Sequence, residues 1–423
     1  MVDFIDVPMA KRDPENKTVI GIVGGGAAAL TSAETLRQEG FTGRILMFTE
    51  EPHAPYDRPV LSKNFNAKID KLLLRTPEWL TQEATVEFLP NTKVKHVDVR
   101  KKTIVTENGE SYNCDKILIA TGGIPRRLKI PGSDLRNIEV LRSYNDLQRL
   151  AIFGKLDQNV VIIGSSFIGM ELAASFAKNG AKEAHPFERV LGARIGQQLA
   201  GFLNQKKVVF RGGRNVVKFH GYSGKVTGAE LNNGEILQAD LVVLGVGVVP
   251  NTELVQGVET LPDRSLHVDP FMQCAIKASI YAKTSVVHQS PWMQRCLCSR
   301  IEHWDVAMQQ GRIAAKNMMG KMAPYDSIPF FWTMLLGKSI RYAGYCVNPD
   351  EIVIEGNLKD MEFAALYVKN DQIQAVATCG KDPAAVATIE AMRRNLLPSY
   401  LEYQLGLMNV EQLVRVAQVM RFR

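Results

Sequence analysis

The 423-residue chain reads as an α/β protein, with two Rossmann-like dinucleotide-binding domains and a C-terminal α+β domain. Three observations predict this. A strand, a glycine turn and a helix open at Val19, a second copy opens at Val160, and past Pro324 the chain turns to aromatics, glycines and strand-like runs. One core cannot serve a chain of this length, so two or three domains are expected. The boundaries read are 1–148 and 251–324 for a first nucleotide domain, interrupted by a second at 149–250, with the last domain at 325–423.

The first unit begins with Val19, Ile20, Ile22 and Val23, an apolar run of buried-strand type. Gly24-Gly25-Gly26 makes a tight turn and a helix starts at Ala27, giving the spacing G-x-G-x-x-A from Gly24 through Gly26 to Ala29. The first glycine permits the bend, the second lets backbone N–H groups approach a pyrophosphate, and the third small residue lets the helix pack on the strand. The helix N-terminus then meets the phosphates with its positive dipole end. A second strand, Ile45 to Phe48, ends in Thr49-Glu50, where a carboxylate can accept hydrogen bonds from an adenosine ribose. The alternative is a purely structural βα turn, and the strand on either side of the turn and helix favours the dinucleotide.

The second unit repeats the order. Val160 to Ile163 is an apolar strand, Gly164-Ser165-Ser166-Phe167-Ile168-Gly169 the turn, and Met170 to Lys178 a helical stretch; Ser166 stands at the middle glycine. A further echo links "TENGESYNCDKILIATGGIPR" with "LNNGEILQADLVVLGVGVVPN". Each has an Asn-Gly hairpin signal (Asn108-Gly109, Asn233-Gly234), an Asp, a buried strand (Ile117 to Ala120, Leu241 to Leu244) and a glycine-rich turn. Two signals in the same order twice predict one site for each of two nucleotides, as in a flavin and nicotinamide enzyme. Beyond Pro324, strand-like runs at Glu351 to Glu355, Phe363 to Val368 and Gln372 to Ala377 precede helical segments.

Composition narrows the classes. The chain is 46% hydrophobic and 22% charged, ordinary for a globular protein. It has no apolar run of about 18 residues that would span a membrane. Asp3 and Asp6 at the start fit neither a signal nor a transit peptide. Six scattered cysteines fit a reducing compartment, cytoplasmic or alternatively mitochondrial. The net charge of +7 comes without a dense basic run, so it reads as solvated surface and not as a nucleic-acid footprint. Cys296-x-Cys298 with His288 and His303 has no trusted zinc spacing, so no metal is expected. Gly164-x-Ser166 is no nucleophile elbow, because Ile168 stands at the second glycine.

With "EPHAPYDRPVLSK" (Glu51 to Lys63), "ATGGIPR" (Ala120 to Arg126), "GSSFIGME" (Gly164 to Glu171) and "GVGVVPNTEL" (Gly245 to Leu254), the chain resembles FAD-dependent pyridine nucleotide oxidoreductases of the ferredoxin-reductase and apoptosis-inducing-factor type. "MAKRDPENKT", "AETLRQEGF" and "PFFWTMLLGKSIRYAGY" resemble the apoptosis-inducing-factor-3-like branch. There a Rieske iron–sulfur domain commonly comes first; no Cys/His ligand pairs precede Gly24, so the chain is expected to lack it. The resemblance implies that FAD occupies the first nucleotide domain and NAD(P)H the second. It implies that Glu50 binds the adenosine ribose of FAD, that Arg58 and Lys63 lie along the cofactor, and that Thr121 and Gly122 approach its pyrophosphate or ribityl. Glu171 would pair with Lys63 beside the flavin, the two forming the catalytic pair, and Trp332, with Phe331 as a second candidate, would cover the isoalloxazine. Gly164, Ser166, Gly169 and Gly247 would serve the NAD(P). A cation near the flavin stabilises its reduced, anionic form, and an aromatic wall shields the ring.

Two stretches depart from that pattern. After Asn179-Gly180, the segment Ala181 to Pro186 holds no apolar strand, although Glu183 is a candidate ribose ligand. After Ile280-Tyr281-Ala282 the family continues with a small residue and Gly-Asp, whereas this chain reads Lys283-Thr284-Ser285 and then an unrelated stretch up to Glu302. The expected function is hydride transfer from NAD(P)H to FAD and electron delivery to an iron–sulfur acceptor of ferredoxin or Rieske type, by a monomer or dimer. The alternative is a degenerate, non-catalytic member acting as a binding or cell-death-regulating protein.

Overall fold

The computed structural model describes residues 8–154, 158–176, 188–206, 208–274, 280–282, 285–288 and 297–419. The elements used below are, in chain order, β1 (Val19–Val23), α1 (Ala27–Gln38), β2 (Arg44–Phe48), β3 (Glu87–Leu89), β4 (Lys116–Ile119), β5 (Ile138–Glu139), β6 (Val160–Ile163) and α2 (Phe167–Phe176). Then come β7 (Leu241–Leu244), β8 (Ile280–Ala282), α3 (Trp304–Met318), β9 (Phe330–Leu335), β10 (Lys338–Gly344), β11 (Glu351–Asn357), β12 (Glu362–Lys369), β13 (Gln372–Cys379), α4 (Ala384–Arg393) and α5 (Val410–Val419). The chain packs as two units. One is built from residues up to Asp57, Lys68–Ile124 and Val249–Ser327; the other from Arg58–Ala67, Pro125–Val248 and the chain from Ile328 on.

The first unit centres on a parallel sheet of order β8-β4-β1-β2-β3. Its strands are near-continuous apolar runs because both faces of such a sheet are covered. Ile22, Ile45, Met47, Ile117 and Ile119 are completely buried. α1 packs against α3 so closely that a Cβ on Gly311 would collide with the Ala28 carbonyl. At the end of α1 the fully buried Arg37 donates to the carbonyls of Phe41, Gly43, Ala84 and Thr85. Burial and the neighbouring Arg12 bring its guanidinium down to about 10. The Asn108-Gly109 signal closes a hairpin between Thr103–Thr106 and Ser111–Asn113, with Gly109 at φ +89. Just before β4, the Asp115 carboxylate accepts the Val19 N–H at 2.7 Å and ties β4 to the start of β1.

The second unit repeats this device. Its parallel sheet has the order β6-β7-β5. Asp240, just before β7, accepts the Asn159 N–H at 2.9 Å, one residue before β6. The Asn233-Gly234 signal closes the hairpin between Lys225–Leu231 and Ile236–Gln238. Among the described residues, β6 pairs with β7 alone; the segment 181–186, where a missing strand was read, lies outside them. The C-terminal part is an antiparallel sheet of order β9-β10-β13-β12-β11. α4 covers β10 and β13, and α5 packs on α4. Leu366, Val376, Ala384 and Val410 are among its core.

Candidate nucleotide and redox site

The Gly24 turn is built as the sequence spacing requires. Gly24 has φ +128, and a Cβ there would collide with the carbonyl oxygen of Ala120 at the end of β4. The neighbouring Gly25 has its own constraint, since a Cβ would lie 2.6 Å from the Thr49 side chain. Gly26 is different: it is extended (φ −103, ψ −168), and a Cβ there would meet nothing within 4 Å. The space over Gly26 is therefore open on the side where a pyrophosphate has to approach. α1 starts there without a side-chain cap and without an acidic residue in its first turn, which leaves its N-terminal amides for an anion. Ala29 is fully buried against the sheet. Glu50 lies exposed, two residues past β2. Thr121 Oγ1 donates to the Asn251 carbonyl at 2.6 Å, and the Asn251 N–H donates to Gly122, which has φ +67. These residues fit a dinucleotide such as FAD.

The Gly164 turn matches it. Gly164 has φ +112, and its Cβ would collide with the Gly245 carbonyl, the counterpart of Ala120. Ser166 replaces the middle glycine without cost to the turn, because its hydroxyl donates to that Gly245 carbonyl at 3.2 Å. Gly169 touches the turn so closely that only glycine fits, since a Cβ would strike the Gly164 carbonyl. Gly247, at φ +88, is exposed with open space around it. α2 begins at Phe167, three residues earlier than the sequence reading placed it, because the turn leads straight into the helix. These residues fit a second dinucleotide.

The second unit brings Lys63 and Glu171 together, with Nζ 2.9 Å from Oε2. The Glu171 carboxylate on α2 is buried, at 5% exposure, where an unpaired charge would be prohibitively costly. Three donors answer it. Oε2 takes Lys63 Nζ and Ser62 Oγ, and Oε1 takes Thr333 Oγ1 at 2.6 Å. Lys63 Nζ also donates to the Pro59 carbonyl at 2.8 Å. Two of the ammonium's three N–H bonds are thereby used among the described residues. Arg58, in the short 3-10 turn Arg58–Val60, donates to the Arg142 carbonyl at 2.9 Å. Trp332 lies on β9 and is 47% exposed, so it is not a core residue; the alternating Phe331 and Thr333 are buried. Phe331 meets the Phe167 ring at 4.6 Å between centroids and stacks on Tyr342, whose phenol burial pushes upward.

Ser62 and Thr333 were not singled out in the sequence. The available signals were slight: Ser62 adjoins Lys63, and Thr333 alternates with Trp332 on a strand. Cys296 and the segments 283–284 and 289–296, where the second departure was read, lie outside the described residues. Among the described residues, no cluster of His, Cys, Asp or Glu is disposed to hold a metal ion, and no helix is long and apolar enough to cross a membrane.

Two nucleotide turns of one geometry, with a buried carboxylate–ammonium pair, define a class: α/β proteins with sites for two dinucleotides. The chain belongs to the pyridine nucleotide-disulphide oxidoreductase family, which it matches over residues 18–311 and whose cofactors are FAD and NAD(P)H. It is 34% identical over 385 residues to apoptosis-inducing factor 3 of Homo sapiens, covering 89% of this chain and 63% of that one. The chain thus spans somewhat less than two thirds of that relative's length. It is 33% identical over 369 residues to the ferredoxin–NAD(+) reductase subunit of a benzene 1,2-dioxygenase system from Pseudomonas putida, covering 84% and 88%. The reductase in a covalent putidaredoxin reductase–putidaredoxin complex superposes with a TM-score of 0.87 at 25% identity, covering 95% of this chain and 99% of that one.

Proposed function

We propose that the chain takes electrons from NAD(P)H through FAD and hands them to an iron–sulfur protein of ferredoxin or Rieske type. The observation that carries this is the doubling of one turn: Gly24 against Ala120 and Gly164 against Gly245. Bound FAD supplies the chemistry, accepting a hydride and releasing electrons singly. The names of the relatives support the acceptor class, since one named above is a ferredoxin–NAD(+) reductase subunit and another a reductase in complex with putidaredoxin.

The chain's own residues bind and orient. Gly24, Gly26 and Ala29 let α1 approach the FAD pyrophosphate, Thr121 and Gly122 flank it, and Glu50 takes the adenosine ribose. Gly164, Ser166, Gly169 and Gly247 hold the NAD(P). Lys63, steadied by Glu171, offers a fixed positive charge for the negative charge that develops on a reduced isoalloxazine, and its remaining N–H is available to an acceptor. Arg58 lines the cofactor and Trp332 shields the ring from water. In this reading 1–148 with 251–324 is the FAD domain, 149–250 the NAD(P) domain and 325–423 the C-terminal domain. Cys114, Cys274, Cys346 and Cys379 are free thiols, all but Cys346 buried, which supports a reducing cytoplasmic or mitochondrial setting.

Colour decides it. The protein purified with FAD should be yellow and should bleach with NADH or NADPH under anaerobic conditions, then recolour when an oxidised ferredoxin is added. A folded protein that takes up no flavin refutes the proposal.

A further inference from the structure

α2 presents one face to two different segments. Phe167, Glu171 and Ser175 are spaced four apart and so share a side of the helix. Ser175 Oγ donates to the Ser62 carbonyl at 2.7 Å, and Glu171 receives Ser62 and Lys63 from the same segment. The C-terminal sheet reaches this face from β9. There Phe331 and Thr333, two apart on one side of the strand, engage Phe167 and Glu171, four apart on the helix. Each contact fixes the register of the other. Trp332, between them, necessarily points to the opposite side of β9.

We propose that Thr333 is a positioning residue for the redox pair: its hydroxyl holds the Glu171 carboxylate in the orientation that fixes the Lys63 ammonium. This rests on the flavin reading above. Glu171 is 5% exposed and Thr333 is 1% exposed, so no water replaces a lost hydroxyl. With Oε1 satisfied from β9, Oε2 is held toward Ser62 and Lys63. Without it, the carboxylate is free to rotate and draw the ammonium from its place. The C-terminal sheet thereby acts on the chemistry through a buried hydroxyl as well as through an exposed indole. A hydrogen bond to a charged group is worth about tenfold to a hundredfold in an equilibrium constant, which sets the expected effect.

The test compares Thr333→Val, Thr333→Ser, Glu171→Gln and the Thr333→Val/Glu171→Gln double variant. Stopped-flow bleaching of the FAD-loaded proteins by NADH separates the rate of flavin reduction from the NADH dissociation constant. Thr333→Val should slow reduction about tenfold or more with NADH binding unchanged, and Thr333→Ser should restore it. In the double variant the threonine change should add nothing to Glu171→Gln. Thr333→Ala takes the place of Thr333→Val if valine does not fold. Urea unfolding of flavin-free wild type, Thr333→Val, Glu171→Gln and the double variant gives a second, activity-independent cycle, with a coupling of about tenfold expected in the unfolding constant. Wild-type reduction by Thr333→Val, failure of serine to rescue, or additive losses overturns the proposal. A chain that retains no FAD refutes the flavin reading instead; the unfolding cycle then decides, and additivity there overturns the clamp.

Discussion

Gly26 offers a clean separation of binding from folding. Its backbone is extended, a conformation open to any residue, and a side chain placed there meets no protein atom within 4 Å. Gly26→Val should therefore fold. Loss of a tolerable helix cap costs up to about 1 kcal/mol, and the stiffer unfolded chain returns roughly 0.4–1 kcal/mol, so the net change is small. The flavin should fare otherwise. Valine would occupy the space through which the α1 amides reach the pyrophosphate. Losing two hydrogen bonds to a charged group, at roughly 1.5–3 kcal/mol each, weakens binding by about 10²–10⁴-fold. Gly24→Ala is the contrasting control, since its positive φ and the collision with Ala120 damage the fold itself. The assay is fluorescence-detected FAD titration of apoprotein beside urea unfolding. Wild-type FAD affinity in Gly26→Val, or a loss of stability matching that of Gly24→Ala, would refute the reasoning.

Arg37→Leu should destabilise the first unit by at least about 3 kcal/mol, because buried carbonyls lose their donor at roughly 1–3 kcal/mol each; a urea midpoint unchanged from wild type would contradict this. Burial holds the His303 imidazole, at the start of α3, down at about 4, against about 6.5 in an unfolded chain. The unfolded state then binds the extra proton between these values, so stability should fall by up to about 3 kcal/mol as pH drops through that window and be unaffected above it. His303→Gln should flatten the corresponding slope of unfolding free energy against pH, and an unaltered slope would count against it. Trp332→Ala should leave the unfolding curve within about 1 kcal/mol, given its exposure, while raising the fluorescence of bound flavin; an unquenched wild-type flavin would remove the shielding role.

What the sequence made legible was local. β1, α1 and β2, and the later β6 and β7, were readable because a strand, a glycine turn and a helix are each specified within a few residues. The Asn-Gly hairpins were readable for the same reason. Glu171 and Lys63 are 108 positions apart by subtraction, and nothing in either neighbourhood points to the other; their pairing came from resemblance. Thr333 was illegible because an alternating strand looks the same whichever buried partner its inward residue meets. Arg37 misleads in a different way. It looks like a solvated cation near a helix end, yet the carbonyls that enclose it come from Phe41, Gly43 and the Ala84-Thr85 loop, and only the fold assembles them.

The first unit is sewn from three stretches of chain, and its sheet is completed at one edge by β8 (Ile280–Ala282) beside β4 (Lys116–Ile119). On the ribosome, which adds roughly 5–20 residues per second, β4 must then wait through some 160 residues of intervening chain. For about ten to thirty seconds the nascent sheet presents an unpaired parallel edge, the kind of surface on which foreign strands add. The helix that closes over α1, α3, arrives later still. A stalled or truncated product ending before residue 280 would thus expose that edge permanently, and should be found with chaperones or in aggregates even where its first 150 residues carry every nucleotide-turn residue of the first unit.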